Sequence, residues 1–266
     1  MDSTLDMGYG TWSASLGETP DYRHLDQLPV HLRGVPFVHF ESVLRGAIDA
    51  AENGRGFGLV RLGDREVAVV EHPCRDISIN APSENFPAGW NLGSDTVAAM
   101  KGAYAEVLDG MDAVGVVWHM DSVTARLIKA IGSLPGRPTP RAWCKTLAFR
   151  RPHRYGSLLR TLLSGRHVVC VGREATAWSA VLRVTCDCDA IAWAMDSNAA
   201  LNDFARYQQV EDWVREEAEP NGSVVLAGLG PWAVVLCGRL RLAGKLALDL
   251  GAGLRIIPKL DPTWTL

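Results

Sequence analysis

The sequence predicts an α/β fold in which helices flank a mostly parallel sheet, built as a single domain. Short apolar runs rich in β-branched residues alternate with segments of helical spacing or with glycine and proline, a pattern typical of parallel sheets covered by helices. Six of these runs are predicted to be strands: Phe57–Leu62, Ala113–Trp118, His167–Val171, Ala190–Ala194, Val224–Leu229 and Lys245–Leu250. The chain has 266 residues, 47% of them hydrophobic, which is enough for a sizeable core.

Two segments between the predicted strands have the spacing of amphipathic helices. One is Ser94–Leu108, and the other carries apolar residues at steps of three and four from Leu201 to Val214. Gly132–Pro140 contains three prolines and cannot continue a helix, so it is a surface connection, either a hinge between lobes or a simple loop. Residues 1–33 have weak periodicity and are predicted to be an N-terminal arm on an α/β domain of residues 34–266.

The composition argues against several classes of function. A formal net charge of -3 provides no basic field, so nucleic acid is not an expected partner. Residues 1–23 include acidic side chains and no apolar run, which differs from a targeting signal and predicts a cytoplasmic location. Val224–Gly238 is shorter than the ~20 residues of a membrane span and is interrupted by glycine and proline.

The six cysteines are predicted to be reduced core thiols, because no secretion signal accompanies them. Only Cys186 and Cys188 are closely spaced. A C-x-C pair without a second Cys or His pair lacks the spacing of a metal-ligand set.

An acidic pair follows the first predicted strand, where Gly63 leads into Asp64, Arg65 and Glu66. Ligands of open α/β sheets bind outside the carboxyl ends of the strands, which is where this turn would lie. Two carboxylates there suit Mg²⁺ or Mn²⁺ bridging to a diphosphate. The alternative is that Asp64 caps a helix while Glu66 forms a salt bridge with Arg61 or Arg65, and the spacing alone favours this structural role.

A glycine-proline turn follows the fifth predicted strand. Gly228 and Gly230 let the backbone approach a ligand, and Pro231 is suited to the first turn of a helix, whose N-terminus favours a phosphate. The turn is not a G-x-G-x-x-G motif, because Ala233 stands at the last glycine position. By itself it is a weak signal for a nucleotide.

Together and in this order, the two motifs resemble the GT-D glycosyltransferase family. Residues 61–66 (RLGDRE) are similar to the family's Arg-[Phe/Tyr]-Gly-Asp-Gly-Glu, residues 229–233 (LGPWA) to its Leu-Gly-Pro-[Thr]-Ala, and residues 249–251 (DLG) to its Asp-[Ile/Leu]-Gly. The resemblance extends from about Ala51 to Gly253. Two departures are Arg65, where the family often has glycine, and Ala252, where it often has histidine.

The resemblance implies a Rossmann-like GT-D fold and transfer of a sugar from a nucleotide-diphosphate sugar, such as a UDP-sugar, to a glycan, glycoprotein or small-molecule acceptor. It implies that Asp64 and Glu66 are catalytic and hold Mn²⁺ or Mg²⁺. The residues that it places at the donor are Arg61, Gly63, Arg65, Gly228, Gly230, Pro231 and Asp249. A homo-oligomer is compatible with this interpretation.

Two further polar groups are candidates for the same site. His119 and Asp121 follow the second predicted strand, where Asp121 could act as a base or bind hydroxyls, and the alternative is a loop histidine and a helix-capping aspartate. Arg150 and Arg151 belong to a dense basic cluster that suits phosphate, although the cluster taken alone favours a solvated face.

Two other functions remain open from the sequence. Another Rossmann-type enzyme, such as an S-adenosylmethionine-dependent transferase, would use the glycine-proline turn without the acidic pair. A non-catalytic nucleotide-binding module would keep the fold while having lost turnover.

Overall fold

The computed structural model describes residues 29–71, 94–116, 128–145, 155–195, 204–219 and 222–251. In this part of the chain, seven strands form one sheet in the order β3-β2-β1-β7-β6-β4-β5, and every pair is parallel. The strands are β1 (Phe57–Leu62), β2 (Ala113–Val116), β3 (Trp143–Lys145), β4 (His167–Gly172), β5 (Asp189–Ala194), β6 (Val224–Gly228) and β7 (Leu246–Asp249). The predicted α/β fold class is confirmed.

Helices cover both faces of this sheet. The main helices are α1 (Phe40–Glu52), α2 (Asp64–Glu71), α3 (Ser94–Leu108), α4 (Gly156–Leu163), α5 (Ala175–Cys186), α6 (Phe204–Glu217) and α7 (Pro231–Leu242). A short 3-10 helix at Val30–Leu32 and helical residues at 128–132 are also described. One apolar cluster joins the sheet to α2, α3, α6 and α7, and a second joins it to α1, α4 and α5. We call these two sides the α7 face and the α1 face.

The sequences of the central strands are continuous apolar runs, because helices cover both faces of the sheet there. All residues of β2 and β7 are buried, as are five of the six residues of β4. The predicted strands agree with the observed ones to within one or two residues at their described ends. Strand β3 was not predicted, because three residues at the edge of a sheet carry too little periodicity to be recognised.

The proline-rich segment Gly132–Pro140 begins at the last residue of a helical stretch at 128–132 and lies before β3. Residues 1–28 of the predicted arm lie outside the described residues. Five cysteines are described, and all five are buried free thiols, as predicted for them. No described helix is long and apolar enough to span a membrane.

Helix α7 packs against α3 through a contact that requires glycine. A Cβ atom on Gly238 would overlap the Cβ of Val107, which is a rigid β-branched neighbour. We expect Gly238→Ala to lower the free energy of unfolding by about 1–3 kcal/mol, the usual cost of overpacking. Denaturant unfolding measures this change. Gly102→Ala on α3 is the matched control, since a Cβ there meets nothing within 4 Å and its unfolding midpoint should stay level or rise.

Candidate active site

The two sequence motifs lie at the same edge of the sheet. Strands β1 and β6 both end at the carboxyl edge and are separated by one strand, β7. The helices that follow them, α2 and α7, are in contact on the α7 face. The acidic turn and the glycine-proline turn are therefore neighbours, as the sequence predicted.

Glu66 is buried at the start of α2. It is the third residue of that helix, is 8% exposed, and its Oε2 accepts a hydrogen bond from the backbone N–H of Gly63 at 2.7 Å. This is half of a capping box, in which an acid at the third position satisfies a backbone donor before the helix. The alternative interpretation of the sequence gave Asp64 the cap and Glu66 a salt bridge; the described capping hydrogen bond is the one to Glu66. Asp64 is the first residue of α2, and its side chain lies outside the described part.

Asp249 ends β7 and lies beside Arg61 of β1. Asp249 as a residue is 2% exposed, and its Oδ2 accepts a hydrogen bond from the backbone N–H of Arg61 at 3.1 Å. Its Oδ1 lies 3.6 Å from Arg61 Nε and has no hydrogen-bond partner among the described residues. Gly251 has a φ of 43°, and a Cβ there would overlap the Arg61 guanidinium, so glycine makes room for this cation.

Burial and mutual repulsion perturb these acids. Removal from water, and then the negative charge of Asp249, raise the pKa of Glu66 from 4.5 to about 7. Burial also raises the pKa of Asp249, although Arg61 opposes the shift. The Tyr104 hydroxyl is buried next to both acids, which keeps its pKa well above 10, and it donates a hydrogen bond to the carbonyl of Pro231 at 2.8 Å. Two buried acids therefore lie near a single guanidinium. This excess of acidic groups favours the binding of a further cation.

The glycine-proline turn is fixed from two sides. Gly230 has a φ of 57° and a ψ of −139°, which only glycine adopts readily, and Pro231 begins α7. Tyr104 holds the Pro231 carbonyl, while the Trp232 ring stacks on Tyr207 with centroids 4.2 Å apart and planes at 16°. These two contacts hold the glycine-proline turn in place beside Glu66 and Asp249.

Comparison with known proteins decides the family. A model of the GT-D-like family, described as a GT-D fold-like domain, matches residues 38–257. The chain belongs to the GT-D-like family. The resemblance found in the motifs is thereby confirmed, and the chain is a glycosyltransferase as a class.

Solved structures share the fold of this GT-D-like protein. One, described as the highly conserved domain of unknown function 1792 with a distinct glycosyltransferase fold, is 15% identical; the match covers 78% of this chain and 76% of that chain with a TM-score of 0.52. Another, described as a new glycosyltransferase from Streptococcus sanguinis, is 18% identical, with 78% and 79% covered and a TM-score of 0.51. No curated protein matches the sequence. At these identities the structural matches show the fold.

The residues of the GT-D-like site fit a divalent cation. Carboxylate oxygens are the ligands that Mg²⁺ and Mn²⁺ prefer, and Asp249 Oδ1 has no hydrogen-bond partner in the described part of the chain. The described side chains contain no group of three or more Asp, Glu, His or Cys placed to hold a metal. Asp64, the first residue of α2 and two residues before Glu66, would supply a further carboxylate.

The described part of the structure includes several of the predicted residues of this GT-D-like site, and others lie outside it. Gly63 donates the capping hydrogen bond, Arg65 is half-buried on α2, and Gly228 ends β6. His119, Asp121, Arg150 and Arg151 lie outside the described residues. Sequence reasoning missed the roles of Tyr104 and Tyr207, because both sit on apolar stripes where a tyrosine is read as core.

A cavity of about 310 Å³ lies at the opposite edge of the sheet. It is lined by residues that precede β1, β6 and β7, among them Arg55, Ser223 and Lys245. Arg55 pairs with Asp49, and Lys245 lies 3.7 Å from Glu219 Oε2. The cavity contains none of the predicted site residues, so it is separate from the carboxyl-edge site.

The raised pKa of Glu66 has a measurable effect on stability. Because the folded state holds this proton up to about pH 7 and the unfolded chain releases it near pH 4.5, the free energy of unfolding should fall as the pH rises through that window. The loss is at most roughly 3–4 kcal/mol, because the window from 4.5 to about 7 is multiplied by ~1.4 kcal/mol per pH unit. Denaturant unfolding from pH 4 to 8 should show that Glu66→Gln lacks this loss, whereas the exposed control Glu41→Gln keeps it. If the unfolding free energy of the wild type, Glu66→Gln and Glu41→Gln depended on pH in the same way, the buried acid pair would be contradicted.

Proposed function

We propose that this GT-D-like protein transfers a glycosyl group from a nucleotide-diphosphate sugar, with UDP-sugars as the first donors to test, to a glycan, glycoprotein or small-molecule acceptor. One observation carries the proposal. Glu66, Asp249 and Arg61 pack together beside the glycine-proline turn at the carboxyl edge of a GT-D-like sheet. This edge is where open α/β sheets bind their ligands.

The leaving group of such a reaction is a nucleoside diphosphate, which gains negative charge as the glycosyl bond breaks. Arg61 is held by Asp249 and its side chain is 20% exposed, so its guanidinium can reach phosphate oxygens at the edge. The N-terminus of α7 adds the positive end of a helix dipole behind Gly230. Arg65, where the family often has glycine, supplies a second cation in the acidic turn.

Asp64 and Glu66 would hold Mn²⁺ or Mg²⁺ at the diphosphate. When bound, such an ion neutralises charge on the departing phosphates. Glu66 is suited to binding a metal because its helix cap and burial fix the carboxylate in one position. Asp249 also orients Arg61, since its carboxylate accepts a hydrogen bond from the backbone N–H of that residue and lies 3.6 Å from its Nε.

A base that deprotonates the acceptor must reach the acceptor hydroxyl. Asp249 is 2% exposed and engaged with Arg61, which makes it unsuited to this contact. The sequence left the base open among Asp64, Glu66, Asp121 and Asp249, and we propose Asp121, which follows β2 in the sequence. Its position follows a strand that is the direct neighbour of β1.

A thermal-shift panel tests the proposed function. The panel contains UDP, GDP and ADP with and without Mn²⁺, together with S-adenosylmethionine and NAD, because a ligand that binds the folded state raises the melting temperature. We expect stabilisation by a nucleoside diphosphate only when Mn²⁺ is present. Stabilisation by S-adenosylmethionine or NAD alone would identify another Rossmann-type enzyme. Binding of a nucleoside diphosphate without hydrolysis or transfer of any sugar nucleotide would identify a binding module.

A further inference from the structure

Three turns form the cavity at the amino edge of the sheet. They precede β1, β7 and β6, which lie side by side, and they contain Gly54, Gly244 and Gly222. These glycines have φ values of 61°, 78° and 82°, which residues with a side chain rarely adopt. A Cβ on Gly54 or Gly244 would meet nothing within 4 Å, so the cavity is open at both positions.

We infer that this cavity binds the phosphate group of a small molecule. It is a second binding site, and it does not depend on the proposed function, because it shares no residue with the site at the carboxyl edge. Strand β1 runs from one edge of the sheet to the other. Its six residues, at about 3.3 Å each, place the two sites roughly 20 Å apart.

Three basic side chains lie in or beside the cavity. Arg55 and Lys245 line it, and the described lining contains no Asp or Glu. Arg166 precedes β4, and its Nη1 lies 3.2 Å from the position that a Cβ on Gly222 would take. Guanidinium and ammonium groups are the side chains that most often bind phosphate oxygens, and Ser223 adds a hydroxyl to the lining.

Two acids offset part of this positive charge. Asp49 pairs with Arg55, and Glu219 Oε2 lies 3.7 Å from Lys245 Nζ. Both carboxylates are largely in solvent, with side chains 62% and 76% exposed, so these pairs are weak and a phosphate can compete with them. Three cations and two acids leave an excess of positive charge.

The helix ends at the cavity offer few acceptors to a competing cation. Helices α1 and α7 both end there, and backbone N–H groups of the following turns already bind their last carbonyl oxygens. The donors are Gly54 and Arg55 at the end of α1 and Gly244 and Lys245 at the end of α7, with distances of 2.8–3.4 Å. The basic side chains therefore set the preference of the cavity, which is for an anion.

The size of the cavity limits the ligand. A volume of about 310 Å³ is at the lower end of the roughly 300–1,000 Å³ that small-molecule pockets have. This leaves room for a phosphate with a small organic group, such as a sugar phosphate, and the same donors would bind free phosphate.

Chemical labelling of the wild-type chain locates the site. Pyridoxal 5′-phosphate carries a phosphate and an aldehyde; the Lys245 amine attacks the aldehyde, water leaves, and borohydride reduces the resulting imine to a stable secondary amine. Mass spectrometry then identifies the modified lysine. We expect selective modification of Lys245 without Mn²⁺, suppressed by glucose 6-phosphate and by inorganic phosphate but not by glucose. The chain has five lysines, so modification spread evenly among them, or insensitive to phosphate, would overturn the inference.

Titration calorimetry of variants, without Mn²⁺, measures the contribution of the cations. We expect Arg55→Gln and Lys245→Gln each to weaken the binding of glucose 6-phosphate and of inorganic phosphate roughly tenfold, since each removes a charged donor. Arg45→Gln, on an exposed pair of α1, is the matched control and should bind as the wild type does. Tighter binding of glucose 6-phosphate than of phosphate would assign the site to a phosphate ester, and equal binding would assign it to free phosphate.

Two results would overturn the inference and leave the proposed function standing. One is wild-type affinity in both cavity variants, and the other is loss of phosphate binding in Glu66→Gln, which would move the anion to the carboxyl edge. If Lys245→Gln does not fold, Arg55→Gln decides, because its side chain is 57% exposed and its replacement leaves the core intact.

Discussion

Replacing Glu66 by glutamine is expected to reduce Mn²⁺-dependent affinity for a nucleoside diphosphate about 100-fold, or about 3 kcal/mol, without unfolding the protein. Glutamine keeps an oxygen that can accept the Gly63 N–H, so the cap of α2 survives. It removes the charge that a hard divalent cation requires. Titration calorimetry with UDP, in the presence and absence of Mn²⁺, measures the change.

Two comparisons make this result specific. Asp64→Asn should show a loss of similar size if both acids hold the metal. Glu41→Gln, on an exposed salt bridge of α1, should bind as the wild type does. If Glu66→Gln and Asp64→Asn both kept wild-type affinity, the acids would be helix-capping and structural groups only, and the metal site would be withdrawn.

Replacing Asp112 by alanine is expected to cost about 3 kcal/mol of unfolding free energy. Its Oδ2 accepts hydrogen bonds from the backbone N–H of Gly58 at 3.0 Å and from Arg241 Nε at 3.2 Å, and its Oδ1 accepts one from Arg141 at 2.8 Å. Arg241 is 14% exposed, so its charge would be left nearly buried and unpaired. The cluster ties β1 and β2 to the C-terminal end of α7, which explains the size of the effect.

Denaturant unfolding measures the Asp112 effect. Asp49→Ala is the control, because its pair with Arg55 is exposed and should contribute less than about 1 kcal/mol. A loss at Asp112 no larger than that at Asp49 would show that the cluster does not hold the strands and α7 together.

The sequence predicted most of the fold because the strong signals are local. The strand β1 was predicted with the observed bounds, as was the helix Ser94–Leu108, since long apolar runs and regular apolar stripes are read directly. Strand β3 and helices α1, α4 and α5 were not predicted from their spacing. The order of the strands was not predictable either, because it depends on pairings such as β1 with β7, which are distant in the sequence.

The candidate site was predicted in part for the same reason. The acidic pair and the glycine-proline turn are contiguous motifs and were found. The contact between Asp249 and Arg61 joins residues far apart in the chain, and only the register of β7 against β1 brings them together. The pairing of β4 with β6 and the opposite faces of the helices that follow them depend on long-range contacts, which no local pattern reports.

The most direct test of a metal-dependent glycosyltransferase site is donor hydrolysis, because many transferases slowly release their sugar to water. UDP-, GDP- and ADP-sugars are incubated with the protein and Mn²⁺, and the released nucleoside diphosphate is quantified. We expect release from one nucleotide class, its loss on removal of the metal, and its loss in Glu66→Gln but not in Glu41→Gln. Release that persists in Glu66→Gln, or no release from any sugar nucleotide by a protein that also fails to bind nucleoside diphosphates, would contradict a metal-dependent glycosyltransferase site at this edge of the sheet.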